Sequence, residues 1–227
     1  MPSAWRGLKT ALAAIVNWRF FKPAVFIACG VELVWLSYDF YLVWSLTDTS
    51  ALGVDPKKTL LHETGQTSLL ILLAALSVTP FRRIFSINGI IRVRRMLGVW
   101  SFAYALAHLT IYLGFDQLCF SGAGCQWRDI WQDIGKRPFI FMGMLAFACL
   151  LLLAVTSTAG WVRRLKKNWA RLHRLVYLAA LAAIVHFVWI QKSDYSEPLR
   201  WAIWLFALLL FRVGWAIKRS GVISAGS

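Results

Sequence analysis

Charged residues are scarce in this chain: they make up 15% of its 227 residues, whereas a soluble domain carries roughly 25%. Hydrophobic residues make up 59% of the chain, and a soluble fold of this size could not hide that much apolar surface. The composition therefore predicts a protein that lies in a membrane rather than one that folds in water.

Several motifs are absent as well. The four cysteines form no Cys-x-x-Cys or Cys-x-x-Cys-His pattern, so covalent haem attachment and thiolate-bound clusters have no support. The chain has no glycine-rich phosphate loop, dinucleotide fingerprint or nucleophile–base pair, which argues against a catalytic domain. No convincing signal peptide precedes the first apolar block. Because no repeat or long linker divides the chain, we expect one domain.

The sequence does contain six apolar blocks, each close to the roughly 20 residues that a membrane-spanning helix needs. We expect them to form an all-α, polytopic bundle of six transmembrane helices within residues 24–217. The second block is the most polar, because its first third contains charged and amide side chains. The blocks are residues 24–44, 60–80, 96–115, 138–156, 172–190 and 199–216.

The positive charges indicate how these spans are oriented. The net charge is +15, and 18 of the 25 basic residues fall on one side of the predicted bundle, where no acidic residue occurs. The opposite loops carry seven basic and eight acidic residues. By the positive-inside rule both termini are predicted to be cytoplasmic, in a bacterial inner membrane. This basic face would meet anionic lipid rather than nucleic acid.

The two ends of the chain flank the bundle on this predicted cytoplasmic side. Residues 1–23 carry apolar side chains at helical spacing, which is typical of an amphipathic helix on a membrane surface. Residues 218–227 form a short tail. Neither segment is long enough to add a second folded domain.

Two histidines fall at the same predicted depth in the membrane. His108 lies twelve residues into the third span and His186 lies fourteen residues into the fifth, and both spans start from the inner side. At the helical rise each is about 18–21 Å from the inner end. Imidazoles that face each other from two helices are a common way to hold haem iron. A lone intramembrane histidine can also serve only to hydrogen-bond a neighbouring helix.

A third histidine, His173, marks an inner level. On the third span the facing position, fourteen residues before His108, is Arg94, and an arginine suits a haem propionate better than iron. We therefore predict a second haem with His173 as its main ligand and Arg94 at a propionate. Thirteen residues rotate an ideal helix by about 220°, so His173 and His186 share a face only if the helix is tilted or irregular.

Other polar residues leave alternatives open. His62 begins the second span on the outer side and is predicted as an alternative haem ligand, or as a contact for quinone or a partner. It is otherwise a hydrated loop histidine that caps the helix. Glu32 and Asp39 share one face of the first span and could carry protons to a quinone, or pair with a base. Cys119 and Cys125 lie in one external loop and could form a disulfide.

Seven segments of the chain resemble the MsrQ family, also called YedZ. Together with His186 they cover roughly residues 50–192 in order, and several of the patterns are rare. The segments are 53–56 (GVDP), 62–65 (HETG), 78–80 (VTP), 92–100 (RVRRMLGVW), 107–110 (AHLT), 156–158 (TST) and 168–178 (NWARLHRLVYL).

The resemblance implies a haem-binding membrane subunit of a bacterial methionine sulfoxide reductase system, with the ferric reductase-like membrane fold. It implies one or two b-type haems, FMN, electrons from the quinone pool or a flavin reductase, and a periplasmic molybdenum-containing partner, MsrP, that reduces methionine sulfoxide. Sulfoxide chemistry would then occur in that partner. Two other hypotheses remain: a proton-coupled or metal-ion transporter that uses intramembrane His, Glu and Asp, and a scaffold subunit without redox function.

Overall fold

A computed structural model describes residues 3–48, 50–115 and 127–224 of the chain. Within these ranges the chain is helical and contains no strand, as predicted. Six helices are long and apolar enough to cross a membrane. Cys119 and Cys125, and the disulfide predicted between them, lie outside the described residues.

Ten α-helices follow one another along the described chain, with a short 3₁₀ turn at Asn88–Ile90. Helices α1, α5 and α7 are too short to span a membrane, and α8 and α9 together form one of the six spans, Lys167–Ile190. The ten are α1 (Ser3–Asn17), α2 (Phe21–Trp44), α3 (Pro56–Phe85), α4 (Ile91–Phe115), α5 (Trp127–Lys136), α6 (Pro138–Val155), α7 (Ala159–Leu165), α8 (Lys167–Leu172), α9 (Leu175–Ile190) and α10 (Ser196–Ser224).

The predicted spans agree with these helices, apart from their ends. The N-terminal segment forms helix α1, as its spacing predicted. Helix α10 runs past position 217 to Ser224, so the boundary predicted there falls inside a helix. Helix α3 also differs, since it continues to Phe85 instead of ending at Pro80.

The continuation of α3 through Pro80 has a visible cause. Proline lacks the N–H that would bond to the carbonyl four residues earlier, so the Leu76 carbonyl loses its helical partner. The Arg212 side chain of α10 donates to that carbonyl through Nη2 at 2.7 Å. An unpaired carbonyl in lipid costs several kcal/mol, and this bond removes that cost.

Two antiparallel helix pairs form the centre of the bundle: α3 packs along α4, and α6 packs along α9. Helices α4 and α6 join the pairs, and α10 closes the other side against α3 and α9. The core between them contains Leu72 and Leu73 of α3 and the fully buried Ala179 and Ala180 of α9. Small side chains such as these alanines let helix backbones approach closely in a membrane.

A tyrosine of α4 links helix α2 to the centre of the bundle. Tyr104 of α4 is fully buried. Its hydroxyl accepts a hydrogen bond from the Leu33 N–H at 3.0 Å and donates one to the Cys29 carbonyl at 2.8 Å. Leu33 follows Cys29 by four residues on α2, so the hydroxyl bridges one helical turn. It thereby fixes where α2 meets α4.

Candidate functional site

His108 is held in place by the helix that packs beside it. Its Nδ1 lies 2.9 Å from the Leu61 carbonyl of α3. A carbonyl only accepts hydrogen bonds, so Nδ1 carries the proton and donates it. The Thr64 hydroxyl lies 3.4 Å from the same nitrogen. The second ring nitrogen, Nε2, is then the unprotonated one, which is the form that binds a metal.

His186 is held in the same way by the other helix pair. Its Nδ1 lies 2.6 Å from the Phe139 carbonyl of α6, so it too is the protonated nitrogen. None of the described residues hydrogen-bonds to Nε2 of His186 or of His108. Each ring therefore offers the same free nitrogen, with its tautomer fixed by a backbone carbonyl of the neighbouring helix.

A glycine lies behind each of these two rings. A Cβ atom at Gly65 of α3 would come within 3.1 Å of His108 Nδ1. A Cβ atom at Gly143 of α6 would come within 2.9 Å of both Nδ1 and Cε1 of His186. Both rings thus occupy the space that a side chain would fill, so a larger residue at either glycine would overlap the ring unless the ring or the helix shifted.

The two rings face each other across the boundary between the helix pairs. Their centroids are 6.2 Å apart and their planes are inclined by 86°. If two imidazoles bind one metal from opposite sides, bonds of about 2 Å and about 1.1 Å from each nitrogen to its centroid give about 6.2 Å. The separation therefore fits one metal between the rings. The sequence analysis predicted the matched depth of this pair, but not these contacts.

His173 lies at a break between helices α8 and α9. Helix α8 ends at Leu172 and α9 begins at Leu175, so the fifth span is not one ideal helix. His173 and His186 could share one face of this span only if the helix were tilted or irregular, and this break is such an irregularity. His173 Nδ1 lies 3.2 Å from the Trp169 carbonyl, and the two rings stack with centroids 3.9 Å apart. His173 Nε2 is buried and has no hydrogen-bond partner among the described residues.

Two arginines, Arg94 and Arg95, lie near enough to affect the charge environment of His173. The Arg95 guanidinium also lies over the Trp169 ring, 5.9 Å from its centroid. The inner level thus combines one free imidazole nitrogen with positive charge, which is the pair of features that a haem iron and its propionates require.

His62 lies apart from these rings, at a partly exposed position. Its side chain is 41% exposed, and Nε2 lies 3.4 Å from a Glu197 carboxylate oxygen at the start of α10. Nδ1 lies 3.7 Å from Glu63, and Gln66 contacts both His62 and Glu197. The edge of the ring faces Phe187, the neighbour of His186. His62 is thus part of a polar cluster above the histidine pair.

The acidic residues of α2 do not join a cluster of ligands. Glu32 accepts a hydrogen bond from the Thr67 hydroxyl of α3 at 2.7 Å, which gives this intramembrane carboxyl a partner. Within the described ranges no group of three His, Cys, Asp or Glu residues is arranged to hold a metal ion. The metal-ion transporter hypothesis therefore gains no support from the described part of the chain.

A known family matches the central part of the chain. The family model "Ferric reductase like transmembrane component" matches residues 61–184. That range contains His62, His108 and His173 and ends two residues before His186.

Curated relatives extend over most of the chain. One in Xanthomonas axonopodis pv. citri is 43% identical over 192 residues, or 85% of each chain. One in Xanthomonas oryzae pv. oryzae (strain MAFF 311018) is 41% identical over 207 residues, or 91% of this chain and 88% of its own. One in Caulobacter vibrioides is 40% identical over 197 residues, or 86% of this chain and 87% of its own. All three are named "Protein-methionine-sulfoxide reductase heme-binding subunit MsrQ".

Proposed function

The chain belongs to the MsrQ family of haem-binding subunits of protein-methionine-sulfoxide reductase, within the ferric reductase-like transmembrane proteins, and on that premise we propose that it is a membrane b-type cytochrome. Its task is to pass electrons through a bacterial membrane to a partner that reduces methionine sulfoxide. This chain itself carries no substrate chemistry, because its candidate sites are built for holding a redox group.

The observation that carries the proposal is the His108–His186 pair. Two neutral imidazoles from separate helix pairs lie 6.2 Å apart, and each has its Nδ1 proton bound to a carbonyl. We assign these two residues as the axial ligands of an outer haem. When bound, a haem supplies one-electron chemistry. The residues of the chain fix the ligand orientation and, through the carbonyl bonds, make the ligands more basic.

We assign His173 as the main ligand of an inner haem, with Arg94 at a propionate. The buried, unpartnered Nε2 of His173 supports the first assignment, and the position of Arg94 beside that ring supports the second. Two haems at two depths would let an electron cross the bilayer in short steps.

The direction of flow follows from the predicted orientation. Electrons enter at the cytoplasmic or mid-membrane level from the quinone pool or a flavin reductase, and leave from the outer haem to a periplasmic MsrP-like molybdenum enzyme. His62 enters the proposal as a contact for that partner or for quinone, since its cluster of polar side chains faces outwards next to Phe187. FMN rests on the resemblance alone; the names of the relatives specify haem and no flavin.

Single histidine substitutions test the assignment. We would purify the wild type and the variants His108→Ala, His186→Ala, His173→Ala and His62→Ala from haem-replete cells, then measure haem per chain and the reduced-minus-oxidised spectrum. The His108 and His186 variants should each lose the same low-spin b-type component and keep the inner one. The His173 variant should do the reverse, and the exposed His62 variant should keep both.

Two results would contradict the proposal. A colourless wild-type protein from haem-replete cells would favour a scaffold or transporter. Unchanged spectra in both the His108 and His186 variants would refute the axial pair.

A further inference from the structure

Arg212 is a charged residue in the inner half of the last membrane span, between α3 and α9. One of its nitrogens, Nη2, donates to the Leu76 carbonyl. The guanidinium lies over the Tyr177 ring, 5.1 Å from its centroid. These contacts hold the guanidinium plane against two helices, so its position is fixed by the fold rather than by solvent.

Much of the hydrogen-bonding capacity of Arg212 is left unused. A guanidinium carries five N–H donors in a fixed fork. Nη1 is buried and has no hydrogen-bond partner among the described residues, while Nη2 has the single acceptor already given. A buried donor without an acceptor costs about 1–3 kcal/mol, and more when the group is charged. The bond to Leu76 therefore explains why an arginine is present, but not why Nη1 points into a buried space.

The charges around Arg212 are positive too. It interacts electrostatically with Arg94 and Arg83, and Arg94 in turn interacts with His173. The sequence has no Asp or Glu in residues 64–115, 134–193 or 198–227, which are the segments that supply this end of the bundle. Arginines from three helices thus repel one another here, these segments supply no carboxylate to balance them, and positive charge that is partly removed from water favours a counter-charge.

We infer that Arg212 and Arg94 form a binding site for an oxyanion, a carboxylate or a phosphate, at the inner end of the bundle. The planar fork of arginine suits either group. Thr79 lies about one turn beyond Leu76 on α3, and its buried hydroxyl is also without a hydrogen-bond partner among the described residues. Two sources share this chemistry: a propionate of the inner haem, and the headgroup phosphate of an anionic lipid. The first source rests on the proposed function; the second does not.

Four forms of the holoprotein test the site: the wild type, Arg212→Gln, Arg212→Lys and Arg163→Gln. Arg163 is an exposed arginine of α7, so its substitution is a control with the same loss of charge on the same predicted face. The outer haem spectrum and the elution profile of each form show that it has folded. One assay measures the midpoint potential of the inner haem by redox titration. The other titrates delipidated protein with phosphatidylglycerol and, for comparison, with phosphatidylcholine.

The two assays separate the sources. If the anion is a propionate, Arg212→Gln lowers the inner midpoint potential or removes that haem, because an uncompensated carboxylate favours ferric iron, and phosphatidylglycerol affinity does not change. If the anion is a headgroup, Arg212→Gln weakens phosphatidylglycerol binding about tenfold or more, and the potential does not change. Arg212→Lys should fall between the wild type and Arg212→Gln, since it keeps the charge without the fork.

A merely structural Arg212 would move neither readout. If both assays give the same values for Arg212→Gln and Arg163→Gln, the anion site is refuted. If the wild type proves to contain no inner haem, the His173 assignment fails, while the lipid titration still decides whether the site exists.

Discussion

Replacing Gly143 by alanine should damage the outer haem site, because the new methyl group would overlap the His186 ring. Its Cβ would lie 2.9 Å from two ring atoms, whereas ordinary contact begins at 3.4 Å. The ring must therefore shift by about 0.5 Å or the helices must separate, and overpacking of this kind costs about 1–3 kcal/mol. The ring cannot shift freely, since its Nδ1 is bound to Phe139 at 2.6 Å.

The chain offers a graded series for this test. At Gly65 the corresponding Cβ would lie 3.1 Å from His108, so the required shift is about 0.3 Å. At Gly98 of α4 no heavy atom lies within 4 Å, which makes Gly98→Ala the matched control. We would measure haem release from each purified variant to excess apomyoglobin, together with the low-spin spectrum. A cost of about 1–3 kcal/mol corresponds to about 5- to 140-fold weaker retention for Gly143→Ala.

The three glycine variants should differ in how well they retain haem. Retention should fall most for Gly143→Ala, less for Gly65→Ala and hardly at all for Gly98→Ala. If Gly143→Ala retains haem as well as Gly98→Ala does, the argument that these glycines position the two ligands is wrong.

Three further predictions concern stability and orientation. Tyr104→Phe should lower the melting temperature in detergent, because two backbone groups of α2 lose their hydroxyl partner at about 1–3 kcal/mol; Tyr38→Phe, at an exposed position, should not. Asp194 accepts hydrogen bonds from Ser196, and these hold the pKa of its carboxyl below the usual value. The larger effect comes from the Ser196 backbone N–H and the smaller from its side chain. The ionised Asp194 side chain therefore stabilises the fold at any pH above the usual pKa of an aspartate, and this stabilisation is lost as the pH falls through the lower pKa of the folded state. On acidification from about pH 5 to about pH 3, the melting temperature of the wild type should therefore fall more than that of Asp194→Asn. Fluorescent-protein fusions to the N- and C-termini should both fluoresce and alkaline phosphatase fusions should both be inactive, whereas the reverse would overturn the predicted cytoplasmic termini.

The proximity of His108 and His186 could be predicted from the sequence, because the prediction needs only two quantities that a sequence contains. Loop charges indicate at which side a span begins, and the helical rise converts a residue count into a depth. His108 and His186 are twelve and fourteen residues from the predicted starts of their spans, and the fold brings their rings together.

Where a helix is interrupted, or continues past a proline, was harder to predict. The fifth span is interrupted between Leu172 and Leu175, where the sequence has no glycine or proline to signal a break. Conversely, Pro80 indicates the end of a helix, yet α3 continues because Arg212, 132 residues further along the chain, satisfies the freed carbonyl. Both outcomes depend on tertiary contacts, which single-sequence patterns do not contain.

The roles of Gly65 and Gly143 could not be predicted for the same reason. Gly65 belongs to one of the segments that resemble the MsrQ family, but a glycine inside a helix only indicates that some neighbour approaches closely. Which atom approaches becomes clear once α3 is packed along α4 and α6 along α9.

The histidines at the two predicted haem levels are oriented by different parts of the fold. At the outer level each ligand is oriented by a carbonyl of a second helix, Leu61 for His108 and Phe139 for His186, so the site exists only while both helix pairs are packed. At the inner level His173 is oriented by the Trp169 carbonyl four residues earlier in the same segment, which requires no second helix. Mild loosening of the bundle, by detergent or heat, should therefore disturb the orientation of His108 and His186 before that of His173. Orientation by backbone carbonyls also fixes the outer imidazoles before and after each electron passes, so little rearrangement is needed, as a fast electron carrier requires.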